Sequence, residues 1–327
     1  MNDNLFQRSP ERASFVAIGD SFTEGLNDTE GVADIEGPDA PEGADAPDAP
    51  APGGAHGPSA YRGWADRLAG LLAAEYPGLR YANLAVRGKL LRQIVADQVP
   101  AAAAMSPGLV SIAGGGNDIL RPGADPDTLA ELFDVAVARL QAAGSRVLLF
   151  TGFDPVGFPV LRLLRGRIAA YNMHLRAIAD ARDCYLVDLW SMRFLREPAA
   201  WSPDRIHLSA QSHRRVALRA AEVLGVPLTE DWRDAVAAGA VGAVADGPAV
   251  AGPVADGSVA DGSVADGSVA VNGARRAVWL AARREDARWA KEYLAPWVNR
   301  RLHGTSSGDG RSAKRPVLEV VTPSAVS

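Results

Sequence analysis

Short, continuously apolar runs alternate along much of the chain with stretches in which apolar residues recur every three or four positions. The runs SFVAIGD (14–20), LRYANLAV (79–86), LVSIAGG (109–115), RVLLFTG (146–152) and CYLVDLW (184–190) have the length and continuity of strands buried on both faces. Helical periodicity fills the gaps between them. In YRGWADRLAGLLAAEYPG, Trp64, Leu68, Leu71 and Leu72 share one face, and Pro77-Gly78 stops the helix. DPDTLAELFDVAVARLQAAG opens on an acidic turn and closes at Gly144, and further helices fit 161–182 and 209–224. Five strand–helix units in series predict an α/β domain with an open parallel sheet covered by helices on both faces. Such sheets place their sites at the carboxyl ends of the strands.

Two segments break this pattern. Residues 28–58 are rich in Pro, Gly, Ala and Asp and nearly free of aromatic residues, so they bury too little apolar surface to offset their ordering entropy. They read as a disordered acidic insert within a main domain spanning 12–228, preceded by an N-terminal tail, 1–11. Residues 239–271 read as a low-complexity linker in which VADGS recurs at 254, 259 and 264. A period of five matches no helical repeat unit and no calcium-binding β-roll. Residues 272–327 read as a basic helical segment and tail.

Charge and composition narrow the function classes. The net charge is −5, and residues 28–60 hold eight acids without a Lys or Arg. Residues 272–327 hold eleven Lys and Arg against five acids. Arginines spaced along an amphipathic helix form a solvated face, and no nucleic-acid motif accompanies them, so no nucleic-acid partner is expected. No run reaches 18 apolar residues and the N-terminus lacks an apolar signal core, which predicts no membrane insertion and a cytoplasmic location. The single cysteine, Cys184, lies in a strand pattern and reads as an inert core thiol. Five histidines without an H-E-x-x-H pair point to no metal site, and no cofactor is expected.

Chemistry gathers at the predicted strand ends. Gly19-Asp20-Ser21 follows the first strand, Asn83 and Gly88 lie at the second, Gly114-Gly115-Gly116-Asn117-Asp118 follows the third, and Asp204 and His207 stand three apart before a helix starting near Ser209. Esterolysis uses this inventory. A serine hydroxyl needs a base to take its proton, and imidazole titrates near neutrality. Ser21 and His207 fit those roles, with Asp204 orienting the ring. Backbone N–H groups of Ser21 and Gly88 and the side-chain amide of Asn117 would serve a tetrahedral oxyanion. A G-x-S-x-G elbow is excluded because Thr23 stands where its second glycine would fall.

The blocks GDSFTEG, Gly88, GGGND and DRIH occur in the order found in the SGNH hydrolases, the GDSL-type esterases and lipases, and the chain resembles that family over roughly residues 12–225. Phe22 stands where GDSL has leucine. The resemblance implies a three-layer α/β/α flavodoxin-like fold with a central parallel sheet. It also implies metal-free ester hydrolysis through an acyl-serine, with Ser21, Asp204 and His207 as the triad and Ser21, Gly88 and Asn117 as the oxyanion hole. The segment from Trp289 to Pro316 resembles the tail of a bacterial subset of the family.

The expected partner is a small-molecule ester, with an acyl or acetyl group to be cleaved. Two other readings stay open: an acyltransferase working through the same acyl-serine, and a non-catalytic scaffold or binding protein that keeps the fold. Trp279, Trp289, Leu294 and Trp297 would give the tail apolar surface with which to dock. Asp20 and Asp118 read as loop-ordering residues, and His174 and His213 as helix surface. His56 and His303 fall in the insert and the basic tail. Residues 154–166 read equally as an apolar lip beside the site or as packing at a helix start.

Overall fold

The computed structural model describes residues 5–6, 13–29, 61–158, 161–234, 288, 291–292 and 306–323. The chain divides into two compact units, Met1–Asp234 together with Gly304–Ser327, and Ala235–His303. Of the second unit only residues 288, 291 and 292 are described. The expected linker and the tail residues Trp279, Trp289, Leu294, Trp297 and His303 therefore lie outside the described residues, as do His56 and all of the acidic insert beyond Asp28 and Thr29.

The first unit is built on a six-stranded sheet. Its strands are β1 (Ser14–Ile18), β2 (Arg80–Asn83), β3 (Leu109–Ile112), β4 (Arg146–Phe150), β5 (Tyr185–Val187) and β6 (Arg315–Val320). The spatial order is β5-β4-β3-β1-β2-β6. The first five strands pair in parallel; β6 runs antiparallel to β2. The helices are α1 (Ser21–Glu24), α2 (Gly63–Glu75), α3 (Leu91–Gln93), α4 (Val99–Ala104), α5 (Gly116–Ile119), α6 (Pro126–Ala142), α7 (Arg165–Ala181) and α8 (Ala210–Val223). A π-helical turn, Ile94–Gln98, joins α3 to α4. No helix among the described residues is long and apolar enough to cross a membrane.

Side-chain alternation along β1 feeds two cores. Phe15 and Ala17 pack on the layer of α2 and α8 with Trp64, Leu68, Leu72, Val216 and Ala220. Val16 and Ile18 pack on the opposite layer with Ile94, Val99, Phe133, Val137 and Leu175. Both faces of every central strand are covered, which is why the strands read as unbroken apolar runs. Each buried side chain of this size contributes about 1.5–3 kcal/mol, so the layers hold the strand ends rigidly. The long helices start where their caps dictate. Asp125 accepts the N–H groups of Asp127 and Thr128 ahead of Pro126, and the Ser209 hydroxyl accepts the N–H of Ser212.

Strand order reverses at β1, between β2 on one side and β3 on the other, and in sheets of this kind such a switch point carries the binding crevice beyond the carboxyl ends. The loops after β1, β2 and β3 meet there. The sixth strand departs from the sequence expectation, which placed everything after residue 272 outside the main domain. Its residues are largely exposed, so RPVLEV carries no buried-strand signal. Asp28 also differs from expectation. Counted with the acidic insert, it is fully buried, and both of its oxygens accept from Arg67 of α2 at 2.9 and 3.0 Å.

Candidate active site

The crevice is organised around the turn from β1 into α1. Gly19 has φ +154°, and a Cβ there would fall 2.5 Å from Ala113 O and 2.6 Å from Thr23 Oγ1, so only glycine lets β1 end this close to β3. The side chain of Gln98, in the π-helical turn, satisfies both backbone groups of Gly19. Its Oε1 accepts Gly19 N–H at 2.7 Å and its Nε2 donates to Gly19 O at 2.9 Å. Asp20 caps α1 by accepting from Phe22 N at 3.1 Å, which makes Ser21 the first helical residue. Asn83, at the end of β2, donates to Thr23 O at 3.0 Å.

Ser21, His207 and Asp204 form one hydrogen-bonded chain. Ser21 Oγ lies 3.0 Å from His207 Nε2, and His207 Nδ1 lies 2.6 Å from Asp204 Oδ2. Arg205, with φ +55°, turns the backbone so that Asp204 Oδ1 accepts the N–H groups of Ile206 and His207 at 2.9 and 3.0 Å. Burial alone would push the Asp204 carboxyl up, but the hydrogen bond and charge of His207 and these two N–H groups outweigh it and hold the carboxyl below its usual range. The ionised acceptor places the imidazole proton on Nδ1 and leaves Nε2 free to accept from Ser21. Asn27 adds a contact that no local pattern announced: its Nδ2 donates to Asp204 Oδ2 at 2.8 Å.

Gly88 and Asn117 arrive from the other two loops. Gly88 takes φ +71°, a left-handed conformation suited to glycine. Before it, Arg87 is locked to Glu24 of α1: the Arg87 N–H donates to Glu24 Oε2 at 2.7 Å and Nη2 donates to Oε1 at 2.5 Å. After it, the Lys89 carbonyl accepts from Asn117 Nδ2 at 3.1 Å. Asn117 Nδ2 also donates to Asp20 Oδ2 at 3.1 Å. The Asn117 amide therefore joins all three loops, and a role as oxyanion donor requires the oxyanion to replace one of these acceptors. Asp118 accepts from Leu91 N at 2.9 Å and ties the glycine-rich loop to α3, the loop-ordering role read from sequence.

Asp20 is 8 % exposed, and burial pushes its carboxyl up to about 6, against the lowering effects of Phe22 N–H and His207. Between about pH 4 and 6 the folded protein then keeps a proton that the unfolded chain releases. Stability falls as pH rises through that window, by up to about 1.4 kcal/mol per pH unit. Asp20→Asn keeps a capping oxygen and removes this titration. Its melting temperature relative to wild type is expected to climb from pH 4 to 6 and level off above; a difference flat across the window would show that Asp20 ionises as an ordinary carboxylate.

Other residues singled out by sequence fall away from this chain. His174 is on the surface of α7, 2.7 Å from Asp127. His213 is a correction: expected on the helix surface, it is 1 % exposed. The Ser209 cap sets the phase of α8 so that His213 faces α2 and accepts from Trp64 N at 3.2 Å. Burial lowers its pKa to about 4 and keeps it neutral. Cys184 precedes β5 and is half-buried; burial raises its thiol to about 11, which suits an unreactive thiol. In the segment after β4, Phe158 packs edge-on against Trp201, whereas Leu163 is 80 % exposed.

Similar folds occur among solved structures. A variant of Axe2, described as an acetyl-xylooligosaccharide esterase from Geobacillus stearothermophilus, has a TM-score of 0.50 and 21% identity, covering 67% of this chain and 96% of that one. A catalytic mutant of the same protein, described as an acetylxylan esterase, has a TM-score of 0.50 and 22% identity over 67% and 95%. TesA has a TM-score of 0.49 and 23% identity over 64% and 97%. No curated protein matches the chain in sequence. A family match does: the GDSL-like lipase/acylhydrolase model covers residues 17–215, from within β1 into α8. That span contains all three loops of the crevice as well as the Asp204–His207 turn, and the chain belongs to the GDSL-like lipase/acylhydrolase family, as an enzyme that hydrolyses ester bonds.

Proposed function

We propose that the protein is a serine esterase that cleaves small acyl or acetyl esters through an acyl-serine intermediate. The observation that carries this reading is the chain Ser21 Oγ to His207 Nε2 to Asp204 Oδ2, at 3.0 and 2.6 Å, at the switch point of the sheet. Ser21 Oγ attacks the ester carbonyl carbon as His207 Nε2 takes its proton. The C–O bond to the alcohol then breaks, and the alcohol leaves with that proton. Water repeats the sequence on the acyl-serine, releasing the acid and restoring Ser21. Asp204 stays ionised throughout and stabilises the imidazolium.

The negative charge on the tetrahedral oxygen falls to the N–H groups of Ser21 and Gly88 and to Asn117. The tie between Asn117 and Lys89 O supports this grouping by holding the amide beside the residue that follows Gly88, and the oxyanion takes one of its two N–H groups by displacing Lys89 O or Asp20 Oδ2. Quenching p-nitrophenyl acetate turnover in acid tests the mechanism. A burst of p-nitrophenol is expected, with one acetyl group trapped on the peptide containing Ser21. Turnover with no trapped acetyl group, or with acetyl on another residue, would sink the acyl-serine assignment.

A further inference from the structure

The family match ends at residue 215, yet a segment about ninety residues further on touches the nucleophile turn. Lys314 precedes β6, and its side chain is 3 % exposed. Its Nζ donates to Glu24 O at 2.7 Å, Tyr61 O at 2.9 Å, Arg62 O at 2.8 Å and Asp66 Oδ2 at 2.9 Å. Glu24 is the last residue of α1, the helix that Ser21 begins, and its carbonyl has no partner within so short a helix. An ammonium at that end satisfies the carbonyl and complements the helix dipole. Tyr61 and Arg62 lead into α2, so one cation ties the end of α1 to the start of α2.

The clamp continues through side chains. Asp66 Oδ1 accepts from Tyr81 OH at 2.7 Å, Tyr81 OH accepts from Asn83 Nδ2 at 3.0 Å, and Asn83 Nδ2 donates to Thr23 O at 3.0 Å. Lys314 thus reaches two consecutive carbonyls of α1, one directly and one through this relay. The residues before Lys314 meet the oxyanion side. A Cβ on Gly88 would overlap the Ser306 hydroxyl, and a Cβ on Gly308 would overlap Arg87 O. One backbone segment is therefore packed against both Arg87–Gly88 and α1.

We propose that Lys314 and the segment 306–320 position the nucleophile turn against the Arg87–Gly88 loop, so that catalysis depends on the C-terminal end of the chain. The proposal rests on the serine esterase reading above. Lys314 acts through α1 and is a positioning residue. Misplacing a reacting group by 1 Å can cost about 10² in rate, while the crevice that binds the ester is left in place. The expected signature is therefore a loss in kcat with little change in KM.

Lys314→Met in the full chain tests this with p-nitrophenyl acetate and a fluorophosphonate probe. The expected result is a fall of about tenfold or more in kcat and in the labelling rate of Ser21, with KM within about twofold of wild type. A variant with the wild-type near-ultraviolet dichroism and wild-type kcat would overturn the proposal. In case that variant does not fold, Gly308→Ala in the full chain pushes the same segment off Arg87 O. It is expected to give a similar fall in kcat and in the labelling rate with KM unchanged, and a folded Gly308→Ala with wild-type kcat and labelling would overturn the proposal. A wild type that never labels would instead remove the esterase reading itself.

Discussion

Replacing Ser21 by alanine is expected to reduce kcat/KM for p-nitrophenyl acetate by about 10⁴ or more, with folding intact. The size of the effect follows from the chemistry. On the proposed acyl-serine mechanism, no covalent intermediate forms without the hydroxyl, and only binding and the proposed oxyanion donors would remain to assist water. The fold is expected to survive because α1 is capped by Asp20, not by Ser21, and alanine suits a first helical residue. Thermal stability should stay within about 0.5 kcal/mol of wild type. A fluorophosphonate provides a second measurement: Ser21 Oγ bonds to phosphorus, fluoride leaves, and His207 takes the proton. Wild type is expected to carry the label on Ser21 and the variant none. Residual turnover near the wild-type rate, or labelling at another serine, would mean that the nucleophile lies elsewhere.

The second large effect concerns the pair that ties α1 to the Arg87–Gly88 loop. The side chains of Glu24 and Arg87 are 6 % and 4 % exposed, and the guanidinium also lies 5.3 Å from the ring centre of Tyr61. Arg87→Met would leave the Glu24 carboxylate buried with a single backbone N–H in place of a bidentate partner. Breaking a buried pair in this way costs about 3–5 kcal/mol, and the midpoint of urea unfolding should fall accordingly with an unchanged slope. Gly88 follows Arg87 directly, so the variant protein that remains folded is expected to lose kcat as well. Adding Glu24→Gln removes the stranded charge and keeps an acceptor for the Arg87 N–H. The double variant is therefore expected to recover most of the stability and little of the rate. Recovery of both would show that the pair only stabilises the fold, and recovery of neither would show that packing, not charge, sets its value.

Parts of this site were legible because their geometry is local. Asp204 and His207 are three residues apart, and a single turn at Arg205 brings ring and carboxylate together. Asp20 and Ser21 are adjacent at the end of an apolar run, and Asn117 follows three glycines at the end of another. The supporting residues were not legible in this way. Gln98 meets Gly19 across 79 positions, Asn27 meets Asp204 across 177, and Lys314 meets Glu24 across 290. Each is a polar residue in an unremarkable stretch whose buried partner is a backbone group or a carboxylate far along the chain. His213 misled for the same reason, because its burial depends on α2 packing over one face of α8.

Local periodicity and strand-end motifs were enough to determine five parallel strands and the long helices between them, and to single out Ser21, Asp204 and His207, which the structure brings within hydrogen-bond reach of one another, because apolar continuity, capping and adjacency act over a few residues. The tertiary structure alone decided the rest: that β6 joins the sheet beside β2, that Asp28 belongs to the core, and that a lysine near the C-terminus holds the end of α1. Buried carbonyls and carboxylates must find donors wherever the fold places them. Which donor arrives is settled by packing, and sequence separation carries no record of it.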